Sequence, residues 1–264
     1  MGTDIILVGC GNMGFAMLDG WMKASNARFH VVEPHDGLRA RAEGVGAAGY
    51  AGVGELPGDL APSLVFLAVK PQVMGAVAPD YARFAEACFV SVAAGTTVAA
   101  LRGWLGDVAI IRTMPNTPAA IGQGMLVSYA TGAVPAETRV EVDRLLACCG
   151  ETGWIDSEDL MDAVTAISGS GPAYVFHMIE CLAASAERLG LATDLSRMLA
   201  LQTVAGAGHL ARTSADAPGV LREKVTSPGG TTAAALGVLM GRLGPLMDEA
   251  TEAARDRGVD LGKD

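Results

Sequence analysis

Ile5-Ile6-Leu7-Val8-Gly9-Cys10-Gly11-Asn12-Met13-Gly14 is the stretch on which the fold turns. Four apolar residues in a row read as a strand buried on both faces, the pattern of a parallel sheet. A full G-x-G-x-x-G follows at once. Behind it Met13, Ala16, Met17, Gly20 and Trp21 recur at helical spacing on one face. A second strand, Phe29 to Val32, ends in Glu33-Pro34. Strand, glycine loop, helix and acid-terminated strand together form the dinucleotide-binding arrangement. The first glycine makes the turn, the second admits a diphosphate, and the third lets helix and strand pack closely. Glu33 stands 24 residues after Gly9, where a carboxylate can accept hydrogen bonds from ribose hydroxyls. Val8, Gly9, Gly11, Asn12, Met13, Gly14 and Glu33 are therefore expected to hold the cofactor.

The alternation continues outward. Strands are expected over Ser63 to Val69, Ala87 to Val92 and Val108 to Arg112, with helices around 72–85 and 97–105 between them. Each strand runs into a turn-rich segment: Ala68-Val69-Lys70-Pro71, Ala93-Ala94-Gly95-Thr96, and Thr113 to Pro118. Each segment also reads as a plain turn, but several at one sheet edge favour a site, because ligands of doubly wound sheets bind beyond the strands' carboxyl ends. Gly122 to Thr131 and Gly150 to Ile155 read as added edge strands, with a helix over 135–148. After Ser157 strand signals stop. Glu158–Ile167, Pro172–Leu189, Leu195–Thr213, Gly219–Val225, Thr231–Met240 and Leu243–Arg257 all read as helices. The expected class is α/β: a Rossmann-type domain over 1–156 and an all-α domain over 157–264. The helix after Pro172 is apolar around much of its surface, as in an intersubunit core. His177 within it reads as a packed histidine before a catalyst.

Near the C-terminus lies Lys224-Val225-Thr226-Ser227-Pro228-Gly229-Gly230-Thr231-Thr232, followed by an alanine run. Hydroxyls cluster there, glycines let a ligand approach, and a helix start offers free N–H groups to an anion. A small carboxylate or phosphate suits such a place; an ordinary helix cap after a Pro-Gly turn is the plainer reading.

Composition narrows the classes. The chain has 264 residues, half of them apolar, and a formal net charge of -10. An acidic protein is a poor partner for nucleic acid or an anionic membrane. No run of 18 apolar residues predicts a membrane span. The N-terminus enters strand-like residues directly, without the basic and apolar segments of a secretion signal or a myristoylation pattern. Five cysteines (Cys10, Cys88, Cys148, Cys149, Cys181) without framework spacing suit a reducing cytoplasm. Scattered histidines and no Cys-x-x-Cys make a metal site unexpected.

With these motifs in order, the chain resembles the pyrroline-5-carboxylate reductase family over nearly its whole length. The resemblance rests on Gly9 to Gly14, Ala68 to Pro71, Ala93-Ala94-Gly95, Met114 to Pro118, Ser168-Gly169-Ser170-Gly171-Pro172-Ala173-Tyr174, and residues 224–232. It implies a Rossmann domain, a helical domain that interlocks in a homodimer, and further assembly into a decamer. It implies hydride transfer from NADH or NADPH to the cyclic imine 1-pyrroline-5-carboxylate, giving L-proline. By the same resemblance Gly230, Thr231 and Thr232 hold the substrate carboxylate. The Thr232 hydroxyl meets the ring nitrogen as the catalytic group, and Glu158 and Ser227 lie nearby. Ala68, Val69, Lys70, Pro71 and Ala94 line the cofactor, and Lys224 reaches it from the partner. Relatives often carry an Asn before the Ala-Val-Lys-Pro strand; this chain has none between Asn26 and Asn116.

The chemistry agrees with the bare residues. A protonated imine needs placement beside a hydride donor and a hydrogen-bond partner, not a strong acid. Glu33 favours NADH, since a 2′-phosphate would meet its charge. Against this, Arg39 or Arg41 could swing in to pair a phosphate, or Glu33 could turn out to solvent. A hydroxyacid- or phosphogluconate-type dehydrogenase is the first rival, weakened because the only lysines after Lys70 are Lys224 and Lys263. A non-catalytic dinucleotide-binding protein of the same fold is the second.

Overall fold

The computed structural model describes residues 3–262. Lys263, named above, and the first two residues, on which the reading of the N-terminus partly rests, lie outside the described residues. The chain forms two compact units, 1–170 with 254–264, and 171–253.

The first unit begins with β1 (Asp4–Val8), α1 (Asn12–Ala24), β2 (Arg28–Val32), α2 (Asp36–Gly44) and β3 (Ala48–Tyr50). It continues with β4 (Leu64–Leu67), α3 (Pro71–Val77), β5 (Cys88–Ser91), α4 (Val98–Leu105) and β6 (Ile110–Met114). Then follow β7 (Gly124–Ala130), α5 (Ala136–Leu146), β8 (Gly150–Trp154) and α6 (Met161–Val164). The period of two in β1 divides the core. Ile5 and Leu7 face Met17, Leu18 and Trp21 of α1, with Phe29 and Phe66. Ile6 and Val8 face the other way, onto Met74, Tyr81, Phe89 and Leu101. Trp21 is fully buried, and its ring centroid lies 4.5 Å from that of Phe66. Its indole N–H donates to the Leu145 carbonyl at 3.0 Å, which satisfies the one polar atom that burial would otherwise penalise.

The strands run in the order β3-β2-β1-β4-β5-β6-β7-β8. They are parallel from β3 to β6; β7 pairs antiparallel with β6, and β8 runs parallel to β7. The direction of winding reverses between β1 and β4, the place where a doubly wound sheet opens a crevice. Register aligns the strand ends there. Val8 lies opposite Val32 and Leu67, and Leu67 opposite Ser91. The next residues therefore form a row, Gly9, Glu33, Ala68 and Val92. Bonds from Gly9 N–H to the Val32 carbonyl (2.9 Å) and from Ala68 N–H to the Val8 carbonyl (2.8 Å) extend the ladder into it.

Several expectations need correction. The strand at 122–131 is not an edge: it is flanked by β6 and β8, and the described edges are β3 and β8. β3 was not foreseen; its three residues Ala-Gly-Tyr are too short for a period to show. The helix expected over 72–85 stops at Val77 and tightens to a 3₁₀ run over Ala78–Phe84, where Pro79 lacks the N–H an α-helix needs. The helix expected over Glu158–Ile167 is a 3₁₀ turn, the short α6, and a π-turn over Thr165–Gly169. By packing, the compact units divide at 170–171. Residues 157–170 pack with the sheet, because the Glu158 carboxylate is bonded to β6 and to the start of α4.

The second unit holds α7 (Gly171–Arg188), α8 (Thr193–Thr213), α9 (Pro218–Lys224), α10 (Thr231–Leu239) and the start of α11 (Leu243–Leu261). The last turns of α11, from Ala254, belong to the first unit. There Gly258 lies against Asp162 and Leu261 against the turn at Gly95. α7 packs on α8 but has no buried residue; Phe176 stays 58% exposed. His177 is not a packed histidine within this chain: its side chain is 75% exposed, and Nδ1 lies 3.2 Å from Glu180 Oε2.

Candidate active site

The glycine loop takes the form its sequence requires. Gly9 has φ +87°, a conformation that L side chains avoid. A Cβ on Gly14 would come 2.3 Å from the Gly9 carbonyl oxygen, so only glycine lets α1 pack this closely. α1 starts at Asn12 with no side-chain cap, which leaves a helix N-terminus facing the loop. Around the row of strand ends lies a cleft of about 520 Å³. Val8, Gly9, Gly11 and Glu33 line it from the first strand pair, and Ala68, Val69 and Lys70 from the end of β4. All seven are among the residues expected for the cofactor. Asn12 and Met13 line a neighbouring groove of about 460 Å³, together with Phe15, Arg41 and Thr117. Gly14 lies within α1 and Pro71 is the first residue of α3. Ala94 follows β5, and Lys224 belongs to the other unit.

The cleft also has walls that sequence reasoning missed. Val73 and Val77 (i and i+4 on α3), Leu38, Val53 and Tyr81 make it predominantly apolar, which suits a flat aromatic base. The i, i+4 valines after Lys-Pro were a readable signal. These walls, the open glycine loop and the uncapped helix start fit a dinucleotide.

Glu33 does not turn out to solvent. It is 8% exposed. Oε2 accepts from the Cys10 N–H at 2.8 Å and Oε1 from the His35 N–H at 3.0 Å. The carboxylate therefore fixes the glycine loop, and two of its roughly four lone-pair positions remain for ribose hydroxyls. Burial, then the charge of Glu33, pushes the Cys10 thiol up to about 11, so it is inert at neutral pH. Neither candidate arginine points a free guanidinium at Glu33. Arg39 Nη1 donates to the Glu33 and Pro34 carbonyls (3.0 and 3.4 Å), and Nη2 to Asp36 Oδ1 (2.5 Å). Arg41 lies over the Phe15 ring, 3.5 Å from its centroid.

Beyond the carboxyl end of β6, Asn116 joins the Met114 to Pro118 segment to the one that begins at Ser168. Its Oδ1 accepts from Met125 N–H (2.9 Å), and its Nδ2 donates to the Ser168 carbonyl (3.1 Å). Glu158 has internal partners. Oε1 accepts from Arg112 Nη1 at 2.5 Å and from Val98 N–H at 2.7 Å, and the Arg112 side chain is only 7% exposed. That carboxylate neutralises a buried guanidinium and caps α4.

In the second unit, α10 begins where the sequence placed it. Gly229 is left-handed at φ +70°, and Gly230 is an extended N-cap without a side-chain cap. Gly230 N–H donates to the Ser227 carbonyl at 3.0 Å, which folds the loop back under the helix start. Thr226 Oγ1 donates to the Arg222 carbonyl at 2.6 Å, so this hydroxyl serves the preceding helix. Ser227 and Thr231 remain exposed and Thr232 half-buried. Lys224 is paired with Asp216.

Comparison with known proteins agrees with these features. Residues 158–261 match the family described as pyrroline-5-carboxylate reductase dimerisation, and residues 4–95 the family described as NADP oxidoreductase, coenzyme F420-dependent. The chain is 36% identical over 264 residues to pyrroline-5-carboxylate reductase of Pseudomonas aeruginosa, covering 98% of this chain and 97% of that one. The pyrroline-5-carboxylate reductase structure from Coxiella burnetii superposes with a TM-score of 0.92 at 31% identity, covering 100% of both chains. The NADP-bound pyrroline carboxylate reductase structure from Plasmodium falciparum gives 0.84 at 28% identity, over 98% of both chains. The glycine loop, the strand-end cleft, the uncapped glycine-preceded helix and the similarity over full length converge: this chain belongs to the pyrroline-5-carboxylate reductase family.

Proposed function

We propose that this protein is a pyrroline-5-carboxylate reductase, an NAD(P)H-dependent oxidoreductase that reduces the C=N bond of 1-pyrroline-5-carboxylate to give L-proline, the last step of proline biosynthesis. The observation that carries the reading is the start of α10. It is a helix N-terminus preceded by left-handed Gly229, without a side-chain cap, in a chain that also holds a dinucleotide cleft. The N–H groups of Thr231 and Thr232 hold the substrate carboxylate, beside Gly230 and Ser227. The Thr232 hydroxyl holds the ring nitrogen, which enters protonated. The nicotinamide, when bound, supplies the hydride that the imine carbon accepts. Val8, Gly9, Gly11, Asn12, Met13, Gly14, Glu33, Ala68, Val69, Lys70, Pro71 and Ala94 hold the cofactor, and Lys224 serves from a partner subunit. Glu158 is the remaining substrate-binding residue of this reading.

Residues from 157 onward serve substrate binding and dimerisation. The working unit is a homodimer, and five such dimers form the decamer that the family resemblance implies. We place the enzyme in the cytoplasm, where its five unpaired thiols persist. No helix among the described residues is long and apolar enough to cross a membrane. A panel of cyclic imino acids with NADH and with NADPH tests the reading. Cofactor oxidation dependent on pyrroline-5-carboxylate is expected; cofactor binding without turnover on any imine overturns it in favour of a non-catalytic protein.

A further inference from the structure

The adenosine end of the cleft is built from the residues that close β2. Glu33, Pro34 and Leu38 line it, and Arg39 reaches across the carbonyls of the first two. Arg39 is thereby the guanidinium bonded to the backbone of Glu33 itself. Its side chain is only 20% exposed, with its stem against Gly49 of β3, and three acceptors engage it, one of them charged. That charge is Asp36, whose side chain is 91% exposed and touches no other cation among the described residues. The other basic groups near the cleft are placed elsewhere. Lys70 leaves from the end of β4, two strand positions from β2 and about 10 Å by sheet spacing. Arg41 is stacked on Phe15 beside the neighbouring groove.

We propose that Asp36 is a specificity-determining residue: it latches Arg39 away from the ribose, so that the cleft, faced by the Glu33 carboxylate alone, selects NADH over NADPH. The inference rests on reading this cleft as the cofactor's adenosine site. A 2′-phosphate would need a guanidinium partner. It would have to displace Asp36 from Arg39 and at the same time approach Glu33, a like charge fixed by two backbone N–H groups. A 2′-hydroxyl needs neither change, since Glu33 keeps lone pairs free to accept from it.

Binding to the full chain, without imine, separates this from turnover. Titration calorimetry with NADH, NADPH, 5′-AMP and 2′,5′-ADP compares the wild type, Asp36→Asn and Asp36→Asn/Arg39→Ala. Asp36 is exposed, so its replacement leaves the fold intact. The wild type binds NADH and 5′-AMP more tightly than their 2′-phosphorylated counterparts. Asp36→Asn tightens NADPH and 2′,5′-ADP about three- to fivefold, as an exposed Arg–phosphate pair allows, with less than about twofold change for NADH and 5′-AMP. Removing Arg39 in addition abolishes the gain. An unchanged ratio in Asp36→Asn, a gain that survives without Arg39, or a wild type that prefers NADPH each overturns the latch. A wild type that binds no dinucleotide overturns the cleft assignment and the latch together. Tight binding with no imine reduction refutes the proposed activity and leaves the latch standing.

Discussion

In the proposed reaction Thr232 carries the most weight for the least chemistry. A hydroxyl that meets a protonated ring nitrogen contributes a hydrogen bond to a charged group, about 1.5–3 kcal/mol. Thr232→Ala should therefore lower kcat on pyrroline-5-carboxylate by about ten- to hundredfold, with NADH affinity unchanged. Steady-state rates with a fluorescence titration of cofactor check both halves, and wild-type turnover in the variant refutes the role. Far from any site, Asp4 gives a pH signature. The Arg28 guanidinium, with a smaller contribution from His30, holds its carboxyl at about 2, below the ordinary 3.8. A depressed carboxyl stabilises the fold fully above the ordinary value and loses that contribution as pH falls from about 4 to 2. Asp4→Asn should cost on the order of 1 kcal/mol at pH 7, after allowance for the exposed Arg28, and only a small part of that near pH 2. Urea midpoints across that range measure it, and a pH-independent cost contradicts the pairing.

Among the elements, β1, the glycine loop, α1 and β2 were legible because period, punctuation and spacing all agreed there; the strand at Asp4–Val8 and the helix from Asn12 fall where the residues put them. α10 was legible for the same reason, with glycines immediately before an alanine run. Other features depend on partners distant in sequence. Nothing near Glu158 announces that it neutralises Arg112, 46 positions earlier, and caps α4, 60 positions earlier. Nothing in Gly122 to Thr131 tells an edge strand from one flanked on both sides, since pairing is decided by where β8 returns. The Asp36–Arg39 pair lay in plain view at i, i+3, but its consequence depends on which way the guanidinium points. The Glu158 connection is testable as a structural joint. Glu158→Ala leaves a guanidinium buried without its counter-charge and should destabilise the protein by about 3 kcal/mol or more. Chemical denaturation reads this, and a loss under about 0.5 kcal/mol, the scale of a surface change, refutes the joint.

For the whole molecule, the apolar surface of the second unit is the governing fact. Phe176, Met240 and Leu246 are 58%, 62% and 60% exposed in the single chain, in a protein otherwise rich in acidic residues. Surfaces of this kind are covered in the working state. Light scattering at assay concentration should give a dimer or a multiple of it. Phe176→Asp, which puts a charge on that surface, should yield monomers without activity; an active monomer would show that the helical unit needs no partner. The path of the chain adds a constraint of a different kind. The backbone passes between the units twice, at 170–171 and again within α11 at 253–254. A protease that cuts only after Ser170 therefore releases neither half, since α11 still joins them. A shortened gene ending at that serine would encode a sheet without the helix end that lies against Gly95 and Asp162. Trimming this protein to its nucleotide-binding part thus calls for a circularly rearranged gene that carries residues 254–262 along, not a stop codon.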